Sequence, residues 1–196
     1  MKKSILILSI FCLLFSANTM FSQSVENGKI SFSAGLGLAP TFLADATSVN
    51  MPPVNFRATY QLRPNFGLSA YAAYSSSNAT LPTNITDGQN SLVNNKQLLL
   101  GLRAEMRKEL SKRFDFYGGG MLAFVRTDLQ EFNPQTNQTI VRAQNAPTPF
   151  DPNAPKGKVI YAGFVGSAFH ITRRVGLFAE LGFGVSLLNA GITVQI

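Results

Sequence analysis

The stretch Leu98–Phe124, LLLGLRAEMRKELSKRFDFYGGGMLAF, limits what this chain can fold into more than any other part of it. Read with a period of two, Leu98, Leu100, Leu102, Ala104, Met106, Lys108 and Leu110 share one face. Gly101, Arg103, Glu105, Arg107 and Glu109 share the other. A β-strand turns successive side chains to opposite faces, so the alternation predicts a long strand with one oily and one charged side. After Ser111-Lys112-Arg113 the oily face resumes at Phe114, Phe116, Gly118, Gly120, Leu122 and Phe124. A hairpin this long, apolar on one side and ionic on the other, suits the wall of a barrel in a lipid bilayer.

The beginning of the chain points to export. Met1-Lys2-Lys3, the apolar run Ile5–Phe15 and small or polar residues up to Ser24 have the three parts of a secretory signal peptide. The expected organisation is therefore a signal over residues 1–22, cut after Ser22 or Ser24, followed by one barrel domain over residues 23–196. The apolar run is too short for a membrane-spanning helix, which needs about 20 residues. Cys12, the one cysteine, leaves with the signal, so neither disulfides nor thiol chemistry are expected. Loss of Lys2 and Lys3 reduces the formal charge from +7 to +5. The remaining cations are scattered through turns and strands without a basic run, which argues against nucleic acid as a partner.

Taken in order, the chain reads as strand throughout. The expected strands are Lys29–Leu38, Val54–Leu62, Phe66–Tyr74, the hairpin already described, Lys158–Ile171, Val175–Phe183 and Ala190–Ile196. Three segments repeat one design: Tyr60-Gln-Leu-Arg-Pro-Asn-Phe66, Lys108-Glu-Leu-Ser-Lys-Arg-Phe114 and Phe169-His-Ile-Thr-Arg-Arg-Val175. Each carries a short turn between an outward apolar residue and the apolar residue that opens the next strand. The opposite end holds the polar segments Pro40–Pro53, Ser75–Lys96 and Thr127–Gly157, expected as loops. An even number of antiparallel strands, with short turns at one rim and long loops at the other, is the pattern of an outer-membrane barrel.

Aromatic residues fall in two bands. Tyr60, Phe66, Phe114, Phe116 and Phe169 lie near the short turns, and Tyr74, Phe124, Tyr161 and Phe183 near the loops. Such bands suit the two membrane interfaces. With its signal, eight-strand meander, repeated turn and final alternating strand, the chain resembles the small eight-stranded outer-membrane β-barrel domain family of Gram-negative bacteria. That group includes the transmembrane domain of outer-membrane protein A and the small adhesin-like barrels. The resemblance implies an all-β, up-and-down antiparallel barrel in the outer membrane, reached by secretion across the inner membrane. It also implies lipopolysaccharide and the barrel-assembly machinery as partners. One departure stands out: members usually finish on an aromatic residue, and this chain finishes on Ile196.

Eight strands leave room only for packed side chains. Arg57, Tyr71, Glu105 and Glu180 each lie five residues from a turn reference position, so they are expected at one depth inside. Arg103, Arg107, Glu109, Asp115, Tyr117 and His170 lie close enough to join them. Buried charges must pair, and the reading is a structural network of Arg57, Arg103 and Arg107 with Glu105 and Glu180, with Tyr71 and Tyr117 beside it.

Three other functions fit the sequence less well. A narrow pore would need a lumen arranged for permeation, and no ring of one charge sign appears. A lipid A-modifying enzyme would need a nucleophile, a histidine base and an orienting acid. His170, Thr172 and Glu180 match this only faintly, with Thr where a Ser is needed and at the short-turn end. A soluble lipocalin-like barrel would turn the apolar face inward around a ligand. One His and dispersed acids build no transition-metal site, and no cofactor is implied. The expectation is a non-enzymatic barrel with a structural or surface-recognition role, any ligand being met by the long loops.

Overall fold

The computed structural model describes residues 28–39, 48–81, 91–111, 113–133, 136, 138–140 and 157–196. The expected signal peptide and its cleavage point lie outside them. Eight strands follow in order: β1 Ile30–Gly37, β2 Ser48–Arg63, β3 Phe66–Leu81, β4 Ser91–Ser111, β5 Phe114–Phe132, β6 Gly157–His170, β7 Val175–Gly182 and β8 Leu188–Gln195. Each pairs antiparallel with its neighbours in sequence, and β1 pairs with β8, closing the barrel. Closure satisfies every sheet edge, which a bilayer requires because no water is present there to bond free amides.

Burial follows the alternation. Leu98, Leu100, Leu102 and Met106 face out, Leu102 being 72% exposed, while Arg103 and Glu105 between them are 3% and 1% exposed. The apolar face therefore points away from the lumen, opposite to a lipocalin.

The short turns are tight. Pro64–Asn65 joins β2 to β3, and β5 begins at Phe114 three positions after β4 ends at Ser111. Between β6 and β7 the Thr172 hydroxyl accepts from the Arg174 and Val175 amides at 3.2 and 3.0 Å, holding a four-residue turn. Proline fixes φ, and Thr supplies a local acceptor, so both residues favour chain reversal.

The other end corrects the sequence reading. Of the expected loop Pro40–Pro53, the part Ser48–Pro53 belongs to β2; of Ser75–Lys96, Ser75–Leu81 belongs to β3 and Ser91–Lys96 to β4; and Thr127–Phe132 continues β5. The rest of those segments falls largely outside the described residues. Two physical causes account for the difference. Ladder hydrogen bonds join backbones, so polar side chains do not stop a strand; and above the hydrocarbon neither face needs to be apolar, so the alternation that marks a strand disappears. Pro52 and Pro53, read as the end of a loop, are absorbed by shifts of register between Met51 and Val54. A residue without an N–H is tolerated there because the ladder is already interrupted.

A Cβ on Gly119 would run into the Ala104 carbonyl, so the glycine admits a close backbone approach of β4 to β5.

Candidate functional site

Each residue of the expected lumen set is carried inward by its strand. Arg57 comes from β2, Tyr71 from β3, Arg103, Glu105 and Arg107 from β4, Tyr117 from β5 and Glu180 from β7. Glu180 is the centre. Its carboxylate accepts two bonds from Arg103, Nη1 to Oε1 at 3.1 Å and Nη2 to Oε2 at 2.8 Å, and one from Arg57 Nη1 at 3.0 Å. In the ring of eight, β7 is three strands from both β2 and β4, so this one carboxylate ties together distant parts of the wall. The Arg103 pair has the two-pronged geometry that makes guanidinium–carboxylate contacts strong and directional.

From Glu180 the charges alternate toward the short-turn rim. Arg57 Nη1 lies 3.7 Å from Glu105 Oε2, and Arg107 donates to Glu105 Oε1 and Asp115 Oδ2, both at 3.2 Å. His170 Nε2 lies 2.7 Å from Asp115 Oδ2. The three arginines thus meet the three carboxylates Glu105, Asp115 and Glu180, and these six charges balance; Glu109, also of inward phase, is half-buried opposite Asp115 at the short-turn mouth. Exposure rises along the series, from Arg103 and Glu105 to the half-buried His170.

Aromatic faces complete the packing. The Arg103 guanidinium sits 3.5 Å from the Phe164 ring centre and 5.0 Å from that of Tyr71. Arg57 lies 5.0 Å from the Tyr117 ring centre and 5.3 Å from that of Phe178. A cation over a desolvated ring face gains roughly 2 kcal/mol. The sequence reading omitted Phe164 and Phe178. Their inward phase could have been read by counting from Phe169 and Val175.

The lumen is not polar throughout. Toward the loop end it is filled by Ala73, Leu99, Met121, Ala123, Val125 and Val185, with Leu99 1% exposed. Between this layer and the ion pairs a space of about 10 Å³ is lined by Tyr71, Arg103, Met121, Phe164 and Glu180. That is about one water molecule. The ionic layer is therefore sealed on the loop side and more open toward the short turns.

The other expected site groups divide as follows. Of the aromatic bands, Tyr60, Phe116, Phe169, Phe124, Tyr161 and Phe183 are exposed on the outer surface, whereas Phe66, Phe114 and Tyr74 are half-buried. Phe114 and Phe116 meet edge to face at 5.3 Å. The structure does not assemble His170, Thr172 and Glu180 into a relay. Thr172 caps its turn, His170 contacts Asp115, and Glu180 is held by two guanidinium groups. No group of three His, Cys, Asp or Glu with metal-site geometry occurs among the described residues.

A second polar arrangement was missed by the sequence reading. In the raised parts of β2, β3 and β4, Asn50 and Asn78 exchange amide hydrogen bonds at 2.8 and 2.9 Å, and Asn94 Nδ2 donates to Asn78 Oδ1 at 2.8 Å. Three amides thus form a rung across three strands.

A closed eight-stranded barrel with an apolar outside and an ion-paired plug defines a small transmembrane β-barrel. Neither a protein-family model nor a curated protein matches the chain. Among solved structures, the outer membrane protein OprG of Pseudomonas aeruginosa is similar with a TM-score of 0.56 at 12% identity, covering 90% of this chain and 99% of OprG. A de novo designed transmembrane β-barrel is similar with a TM-score of 0.50 at 12% identity, covering 89% of this chain and 100% of the design. The fold is that of the small eight-stranded outer-membrane barrels.

Proposed function

We propose that the chain is a non-enzymatic outer-membrane barrel, secreted across the inner membrane and inserted by the barrel-assembly machinery, whose raised β2–β5 sheet and loops form a polar recognition surface. The aromatic bands would lie at the two interfaces, and the ion-pair layer would hold the wall rigid beneath the surface. The observation that carries this reading is strand length. β4 has 21 residues, whereas a tilted strand crosses the hydrocarbon in 9–11. At ~3.3 Å per residue and a tilt of ~40°, it rises roughly 50 Å along the barrel axis, leaving about 20 Å beyond a ~30 Å hydrocarbon core. That excess, Ser91–Gln97, is Ser, Asn, Lys and Gln apart from Leu92 and Val93, is ordered by the asparagine rung, and suits adaptable hydrogen bonding with a surface ligand or neighbouring lipopolysaccharide.

Cell fractionation with heat-modifiable gel mobility tests location and barrel formation together. Shortening β2–β5 to the height of β7 should leave insertion intact and abolish any adhesion that the full chain confers. Adhesion that survives the shortening refutes the recognition surface. A steady open-channel current from the refolded chain in a planar bilayer would refute the sealed plug.

A further inference from the structure

The lipid-facing wall of β1–β4 is not smooth. Ala58 and Ala70, directly paired across β2 and β3, floor a groove of about 480 Å³ walled by Phe32, Tyr60, Leu68 and Leu102. Its size is in the range of small-molecule sites, and its floor is two methyl groups where the flanking positions carry large side chains. Below it, Arg63 stands at the β2–β3 turn. Lys108 stands beside that turn on the outward phase of β4, since the Arg107 amide bonds the Asn65 carbonyl at 2.9 Å.

Charge is segregated along the barrel. At the short-turn rim Arg63, Arg113, Arg173 and Arg174 are all exposed, and among the described residues none has a carboxylate within ion-pair distance. Among the described residues the opposite end carries Lys96, Arg126 and Lys158 with Asp128 and Glu131, so most of the excess positive charge of the described barrel lies at the short-turn rim.

We infer that this corner of the wall is a binding site for an anionic phospholipid of the leaflet on the short-turn side, with its phosphate between Arg63 and Lys108 and an acyl chain in the Ala58/Ala70 groove. Depth supports the occupant. Five residues separate Ala58 from Arg63, about 16 Å along the strand and about 12 Å in depth at ~40° tilt. One leaflet contributes about 15 Å of hydrocarbon, so a chain hung from a headgroup at the rim passes over the groove. Basic side chains at a membrane surface attract anionic headgroups by about fivefold each. The inference rests on the membrane reading proposed above.

Native mass spectrometry of the full chain, released from bilayers of phosphatidylcholine with phosphatidylglycerol, tests it. The unmodified chain should retain phosphatidylglycerol over phosphatidylcholine, and Arg63→Gln with Lys108→Gln should reduce that preference at least fivefold. Arg173→Gln with Arg174→Gln, on the far side of the rim, should leave it unchanged. Ala58→Leu with Ala70→Leu should remove both lipids. Equal retention of the two lipids by the unmodified chain overturns the site, as does a far-rim pair that acts like the near one or a filled groove that still holds lipid. Those outcomes concern an inserted barrel, whereas a chain that enters no bilayer at all overturns the membrane reading with it.

Discussion

Glu180→Gln probes the lumen most sharply. The substitution keeps the side chain's shape and one carbonyl acceptor but removes the charge that Arg57 and Arg103 share. Both arginines are 3% exposed, and water cannot take the place of the lost partner. Arg57 keeps the longer 3.7 Å contact with Glu105, its bond to Ser33 Oγ at 3.3 Å and the faces of Tyr117 and Phe178, and Arg103 keeps the faces of Phe164 and Tyr71. Removing one member of a buried ion pair costs about 3–5 kcal/mol, because the surviving charge is left uncompensated. With a urea m-value of about 2 kcal/mol/M, the unfolding midpoint in lipid vesicles should fall by roughly 1.5–2.5 M. Urea titration followed by gel mobility measures it. Arg103→Leu with Glu180→Leu is the companion variant. It leaves Arg57 and Arg107 facing Glu105 and Asp115, again neutral, and should recover at least half of the lost stability. A midpoint shift below about 0.5 M for Glu180→Gln, or a double variant as weak as the single one, would refute the claim that ion pairing in the lumen holds this barrel together.

Other expected outcomes concern the wall and the raised sheet. Leu102→Arg places a charge on the outward band and should lower stability in vesicles by about 2–4 kcal/mol, measured by the same titration; a negligible change would mean that this face does not meet hydrocarbon. In Gly166→Ala the new methyl group would lie 2.6 Å from the Tyr117 ring. The ring must shift off Arg57, and overpacking of this kind costs about 1–3 kcal/mol, readable as a lower midpoint with the barrel still closed. Asn78→Ala removes the middle of the asparagine rung, so amide hydrogen exchange should quicken in Ser76–Leu81 and Ser91–Lys96 and stay slow in Val54–Tyr74. Equal quickening in both regions would show that the raised sheet and the wall open as one unit.

How far the sequence could be read depended on which solvent each residue meets. Between Leu98 and Phe124, hydrocarbon outside and a packed lumen inside force opposite chemistry on neighbouring positions, so strand, phase and hairpin were all legible. The ionic layer was legible for the same reason: Arg103, Glu105 and Arg107 sit on the face where charge has no water. Its extent was less so. Asp115 and His170 were only candidates, because joining them depends on strand stagger, which one sequence does not display. Leu99 and Val185 were missed because an apolar inward residue looks no different from an outward one once the phase is not counted. The raised ends of β2–β5 were taken for loops because Ser, Asn and Thr predominate there. Their strand character comes from pairing with neighbours such as Asn78 with Asn94, a long-range fact with no local signature.

The lopsided wall links these observations. β7, β8 and β1 have eight residues each, slightly fewer than the roughly 9–11 that cross the hydrocarbon, while β2 to β5 have 16 to 21. Above the bilayer the sheet has lost lipid on its outer side, while Ser75, Ser77, Ser91, Val93 and Glu131 stay buried on its inner side, so its cohesion must come from the strands themselves and what they enclose. Ladder bonds supply part of it, and the asparagine rung adds side-chain bonds running across the strands rather than along them. The wall below must also resist the leverage of a tall, one-sided sheet. Arg57 and Arg103 emerge from β2 and β4, two of the tall strands, and both are tied to Glu180 on β7, a short one. The ion-pair layer therefore braces the high side of the barrel against the low side, directly beneath the apolar layer that keeps water out. Recognition on such a scaffold would be directional, offered by one raised face rather than by a ring of loops around the mouth.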